Sequence, residues 1–127
     1  MKIAIIIARS LLGIIFTVFG LNGFLHFIPM PPPQGFAAQF FGALYLSHYL
    51  VAIFAFQTVA GLLLLTNRFV PLALAILAPI LVNIALFHAT MAPQGAGPAV
   101  IAIALWAVLF YRYRGAFAGL FAAKSAI

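Results

Sequence analysis

The chain has 127 residues, of which 68% are hydrophobic and only 5% charged: six Lys plus Arg, with no Asp and no Glu. A water-soluble domain carries charge on about a quarter of its residues, so a soluble fold is all but excluded. The absence of Cys and of side-chain carboxylates removes disulfides, thiolate catalysis, Cys-ligated zinc or iron–sulfur clusters, Ser-His-Asp triads, glycosidase carboxylate pairs and all-protein Mg or Ca cages. The pI near 10.6 would suggest nucleic acid in a polar chain. Here the few cations separate long apolar runs, so they read as topology signals and lipid-headgroup contacts, with no nucleic-acid partner.

Taken in order, the chain opens with Lys2, an aliphatic run and Arg9. No small-x-small cleavage site closes the run, which continues through Phe24 and Leu25. A first span over about residues 9–28, with Arg9 snorkelling to the inner interface, is therefore preferred to a signal peptide. Ser10, Gly13, Thr17 and Gly20 form a small-residue stripe suited to close helix packing, within one bundle or between two copies. Asn22 and His26 are four apart and share another face if the helix continues through Gly23. The PMPPPQG stretch, residues 29–35, breaks the helix. Residues 34–44 are too short and glycine-interrupted to span alone, which predicts an interfacial or re-entrant segment on the outer face.

A second span is expected over about residues 45–65, with His48 at its start, Tyr45 and Tyr49 in the outer aromatic belt and Gln57 near its middle. Thr66, Asn67 and Arg68 form a tight inner turn. The third span, about residues 70–90, begins at Pro71, where proline is tolerated because first-turn amides lack partners. Within it Pro79 removes one backbone hydrogen bond and frees the carbonyl of Ala75. After the uncharged PQGAGP loop comes a fourth span, about residues 97–113, closed by Tyr111, Arg112, Tyr113 and Arg114. A short tail carrying Lys124 lies at the interface. The expectation is an all-α, integral membrane four-helix bundle with one interfacial or re-entrant segment after the first span. All six cations fall on one side of that arrangement, which predicts N-in and C-in topology in a bacterial inner membrane.

Depth brings the polar residues towards one layer. Counting at 1.5 Å per residue from the inner anchors, Asn22 lies about 20 Å deep, His26 about 25 Å, Asn83 about 22 Å, and His48 and His88 about 30 Å. Gln57, at about 16 Å, is near the midplane of a hydrocarbon core roughly 30 Å thick. Asn22, His26, His48, Gln57, Asn83 and His88 are thus candidate ligand-binding residues lining a polar path from the outer face. The plain alternative is that the amides hold helices together, each worth about 0.6 kcal/mol, while the histidines sit at the interface. Asn83 and His88 are about 140° apart on an ideal helix, so they share a cavity only if the Pro79 distortion or fraying of the helix end brings them round.

Three imidazoles could hold zinc, copper or haem, but no local ligand motif is present. A quinone suits the residues better. Its carbonyls need donors such as His Nε2–H or an Asn amide, its ring and tail need Phe, Leu and Ile walls, and histidine can pass protons near neutral pH. A lipid or another apolar small molecule would be accommodated equally well.

The segments GLNGFLHFIPMPPP (20–33) and VAGLLLLTNRFVPLALAILAPILVNIALFH (59–88), together with the basic end of the fourth span, resemble the DoxX family of small bacterial membrane proteins. The resemblance covers about residues 9–115. The prolines, Asn and Phe-His of the third span are its most specific part. It implies a four-helix membrane bundle and, from the family's naming after a subunit of a thiosulfate:quinone oxidoreductase, an accessory subunit of a redox system with other redox-complex subunits as partners. Asn22, His26, Asn83 and His88 match positions that such relatives tend to keep polar. Gln57 stands where relatives often carry Glu, so a carboxylate proton relay is not expected, nor is thiosulfate oxidation by this chain alone. The rival expectation is a non-catalytic bundle acting as assembly partner or lipid and small-molecule carrier, with a homo-oligomer open.

Overall fold

The computed structural model describes residues 1–30 and 32–124. Pro31 of the proline loop and residues 125–127 of the tail lie outside the described residues. Among the described residues five α-helices run in chain order: α1 (Lys2–Leu25), α2 (Phe36–Leu46), α3 (Tyr49–Leu65), α4 (Val70–Thr90) and α5 (Ala96–Arg112). A 3-10 turn (Pro93–Gly95) precedes α5 and a 3-10 helix (Arg114–Phe121) follows it. There is no strand among the described residues.

α1, α4 and the Pro93–Arg112 unit are each long and apolar enough to cross a membrane; a fourth crossing is added if α2 and α3, bent by 88° at their junction, count as one broken span. This is consistent with a multi-pass membrane protein. The side-chain distribution agrees: Ile7, Ile14, Val59, Leu72, Val82 and Val100 are exposed, and bulky apolar groups turn outward along every long helix. Such a periphery has no favourable partner in water but costs nothing against lipid tails. Inside, Leu12 of α1, Leu64 of α3, Leu74 and Leu77 of α4 and Leu109 of α5 are fully buried and form one cluster. α1 packs against α3 and α5, and α4 packs against the same two helices.

The closest approach is between α1 and α3, which run antiparallel. A Cβ at Gly61 would fall 2.5 Å from the backbone nitrogen of Thr17 and 2.9 Å from the carbonyl of Gly13. One at Gly20 would fall 2.8 Å from the nitrogen of Thr58 and 3.1 Å from the carbonyl of Phe54. The small-residue stripe of α1 is therefore used inside this chain, against a second Thr-Gly pair on α3, so that backbone packs on backbone. The Thr58 hydroxyl turns back to the carbonyl of Phe54 at 2.8 Å, whereas the buried Thr17 hydroxyl has no partner among the described residues.

Three features differ from the sequence expectation. α1 begins at Lys2, so Arg9 lies two turns inside the helix and is half-buried. It does not snorkel outward: Nη1 donates to the carbonyls of Leu64 and Leu65, the last turn of α3, where a cation also opposes the negative end of the helix dipole. α1 stops at Leu25, short of residue 28, because His26 takes a left-handed conformation at φ 53°. Tyr45 belongs to α2, since Ser47 and His48 break the chain before α3 begins at Tyr49.

The α3–α4 turn follows the sequence reading closely. Asn67 is left-handed at φ 54°, its amide donates to Leu64 at 3.3 Å, and the amide of Arg68 donates to Leu63 at 3.0 Å. These are the two bonds of a Schellman cap, with Asn in the position most often held by Gly. α4 then starts with Pro71 in its first turn and contains Pro79. Beside the carbonyl that Pro79 frees on Ala75, an outside donor reaches its neighbour: Trp106 of α5 gives its indole N–H to the carbonyl of Leu74 at 2.9 Å.

Candidate functional site

The three histidines all lie at the end of the molecule where α1 ends, α3 begins and α4 ends, but each has a separate environment. Asn22, in the last turn of α1, is buried. Its Oδ1 accepts the amide of Ile28 at 2.7 Å and its Nδ2 donates to the carbonyl of Ile28 at 3.4 Å. Both ends of the side chain thus pin the main chain where it leaves the helix. His26 does not share a helical face with it: it is the left-handed cap, exposed, with its amide bonded to the Asn22 carbonyl at 2.9 Å. His48 is also exposed and left-handed, at φ 64°, and stands at the 88° corner between α2 and α3.

Gln57 is buried on α3 and makes no side-chain hydrogen bond with the described residues. Asn83 is exposed, and its Nδ2 donates to the carbonyl of Pro79 one turn earlier at 2.8 Å. An amide on the periphery that satisfies its donor on its own helix avoids the cost of a bare N–H in hydrocarbon. It does not face a cavity with His88.

His88 is half-buried, with Nδ1 lying 3.0 Å from the carbonyl of Ala92. A carbonyl only accepts, so Nδ1 carries the proton and Nε2 of the neutral ring is left as an acceptor. The expected Nε2–H donor to a quinone carbonyl is therefore not supplied by neutral His88. A Cβ at Gly95 would lie 3.2 Å from its Cε1, so the ring fixes the turn between α4 and α5. Among the described residues no three His, Cys, Asp or Glu are placed to hold a metal ion.

Aromatic residues organise this end, and of them the sequence reading singled out only Phe87, beside His88. The Phe87 ring meets His88 edge-on at 5.1 Å, stacks on Phe40 at 5.7 Å and meets Phe41 edge-on at 5.0 Å. Phe40 and Phe41, adjacent in α2, dock that short helix on the end of α4. A shallow groove of about 510 Å³ opens beside them, lined by Phe36, Gln39, Phe40, Thr90 and Met91. The Thr90 hydroxyl donates to Leu86 at 2.7 Å and keeps its lone pairs, while the exposed Gln39 amide makes no side-chain hydrogen bond with the described residues. The usable signal in the sequence was the Phe-Phe pair next to Gln39, one half of an aromatic wall with a donor at its rim.

The chain matches no protein-family model, no curated protein and no solved structure. Its site accordingly rests on geometry alone. An aromatic wall, one free amide and a hydroxyl can hold a flat apolar ring by stacking and one or two hydrogen bonds.

Proposed function

We propose that this chain is a DoxX-like four-helix protein of a bacterial inner membrane, N-in and C-in, with α2 as an interfacial or re-entrant segment. In this reading it binds a quinone or a similar apolar ring compound as an accessory subunit of a redox system. The single observation that supports binding is the aromatic-walled groove between α2 and the end of α4. There Phe36 and Phe40 offer faces for a ring, and Gln39 offers N–H groups to a carbonyl. Compared with the sequence expectation, the contact set moves from His26, Asn83 and His88 to Gln39, Phe40 and Thr90. His88 then acts one ring removed, by holding Phe87 against Phe40 and anchoring the following turn. Polarity at one end supports the topology: Lys2, Arg68, Arg112 and Arg114 belong to the opposite end from this groove, as the positive-inside rule requires of a cytoplasmic face.

The test is an absorption spectrum with native mass spectrometry on protein purified in mild detergent, followed by titration with ubiquinone-1. A co-purifying or added quinone that is weakened about tenfold by Phe40→Ala, and less by Gln39→Ala, supports the reading. Equal retention by wild type and Phe40→Ala, with both folded, rejects it.

A second reading has its own observation. Asn22 and Asn83 direct their amides to main-chain carbonyls and amides of their own segment, as purely structural polar residues do. On this reading the chain is a non-catalytic bundle that serves as an assembly partner or carrier, and no quinone is retained at all.

A further inference from the structure

At the other end of the molecule, the first turns of α1 and the last turns of α5 enclose a groove of about 900 Å³, within the roughly 300–1,000 Å³ of small-molecule sites. Ala4, Ile5, Ala107 and Val108 form its apolar wall, and Arg112 and Arg114 stand at its mouth. We propose that this groove binds one anionic phospholipid, with the headgroup phosphate on Arg112 and Arg114 and an acyl chain along the apolar wall.

Charge complementarity selects the occupant. The chain contains no Asp or Glu, so no side-chain carboxylate can neutralise these arginines and their counter-charge comes from another molecule. Arg114 is held in place before any anion arrives. Its guanidinium lies 4.2 Å from the Tyr111 ring centroid, and Nη1 donates to the Tyr111 carbonyl at 2.6 Å. One of its five N–H groups is used, and the others remain for an anion. Arg112 lies over the Tyr113 ring at 5.5 Å and is exposed. Such stacked guanidinium groups keep their charge and their fork geometry, which matches phosphate. α1 begins with no side-chain cap and no acidic residue in its first turn, which adds partial positive charge at the same mouth. An anion alone would leave the aliphatic wall unused, and a purely apolar molecule would leave the two cations unpaired. A lipid with net negative charge satisfies both. Two of the other cations differ: Arg9 is engaged with the carbonyls of α3, and Arg68 stands in the α3–α4 turn, outside the residues lining this groove.

This inference rests on the membrane reading and is independent of the aromatic groove, since the two sites share no residue. The full chain in detergent micelles is titrated with dioleoylphosphatidylglycerol or dioleoylphosphatidylcholine and followed by native mass spectrometry, with glycerol 3-phosphate as a competitor. We expect one phosphatidylglycerol retained in preference to phosphatidylcholine, and no displacement by millimolar glycerol 3-phosphate. Arg114→Gln weakens retention about fivefold and the Arg112→Gln/Arg114→Gln pair correspondingly more, whereas Arg68→Gln leaves it unchanged. Ala107→Phe, which fills the groove at an exposed position and keeps every charge, also weakens retention. Equal retention of the two lipids overturns the proposal, as does a loss in Arg68→Gln matching that in Arg114→Gln. Displacement by glycerol 3-phosphate, or an unaffected Ala107→Phe, shows an anion contact without a lipid groove and overturns it too.

Discussion

The α1–α3 and α4–α5 interfaces join helices of similar apolarity by opposite means. Between α1 and α3 the side chains are removed: Gly13, Gly20 and Gly61 let backbone approach backbone, and the contact tolerates almost no added volume. Between α4 and α5 a large side chain does the joining: Trp106, braced by stacking on Phe110 of its own helix at 5.0 Å, is hydrogen-bonded to the carbonyl of Leu74 on α4. In lipid, where burying an apolar group gains little, both are workable: one gains dense dispersion contact, the other a hydrogen bond from a large side chain. They should fail differently. A shape-limited seam breaks when anything is added, and a side-chain interface weakens gradually as groups are trimmed.

Gly61→Val should have the largest effect. Its methyls meet the backbone of Thr17 and Gly13, which cannot rotate away, so α1 and α3 must separate; a loss of about 3 kcal/mol or more is expected in equilibrium unfolding in mixed micelles. Gly42→Ala is the matched control, since nothing lies within 4 Å of that position, and it should be neutral or slightly stabilising. If the two variants melt alike, the seam is not limited by backbone contact.

Next comes Arg9→Met, which keeps most of the packing stem but removes the donor to the last carbonyls of α3. A loss of about 1–2 kcal/mol is expected, together with faster amide exchange at the following Thr66–Arg68 turn. Trp106→Phe should cost about 1 kcal/mol, measured in the same unfolding assay, because one hydrogen bond is lost while an aromatic ring remains. A cost larger than that of Gly61→Val would reverse the ranking of the two interfaces. The smallest effect is expected for Thr17→Val. Its hydroxyl has no partner among the described residues, so replacing it with a methyl of similar size should change stability by less than about 0.5 kcal/mol in either direction. A large loss would reveal an interhelical hydrogen bond across the seam.

Several of these features are readable from the chain. Gly13, Thr17 and Gly20 announce a close contact through their spacing alone, and Thr66-Asn67-Arg68 announces a cap through the tolerance of Asn for left-handed backbone. Arg9 is misplaced by sequence reasoning because residues 3–8 are apolar and helix-compatible, so nothing local distinguishes a helix beginning at Lys2 from one beginning after Arg9. The polar residues are the hardest. Depth counting puts Asn22, Asn83 and the histidines in one outer layer, but depth fixes only one coordinate. The direction of each side chain around its helix, and any partner it finds nearby, stays open.

Residue order and composition are enough to set the class of environment and the local grammar. The composition favours an apolar surrounding, the breaks fall at PMPPPQG, TNR and PQGAGP, and the cations stand at the margins of the long apolar runs. Which stripe meets which was settled by the packing of the helices in three dimensions. Gly61 answers Gly13 and Thr17 from another helix, Arg9 answers Leu64, and Trp106 answers Leu74. The same packing has Asn22 close a loop and Asn83 bond its own helix, and puts Gln39 at the rim of an aromatic groove with no side-chain hydrogen bond among the described residues. The physical reason is that hydrogen-bond satisfaction depends on distances of about 3 Å in three dimensions. Residue spacing along a helix fixes those distances within one turn and says nothing about the neighbour across the gap.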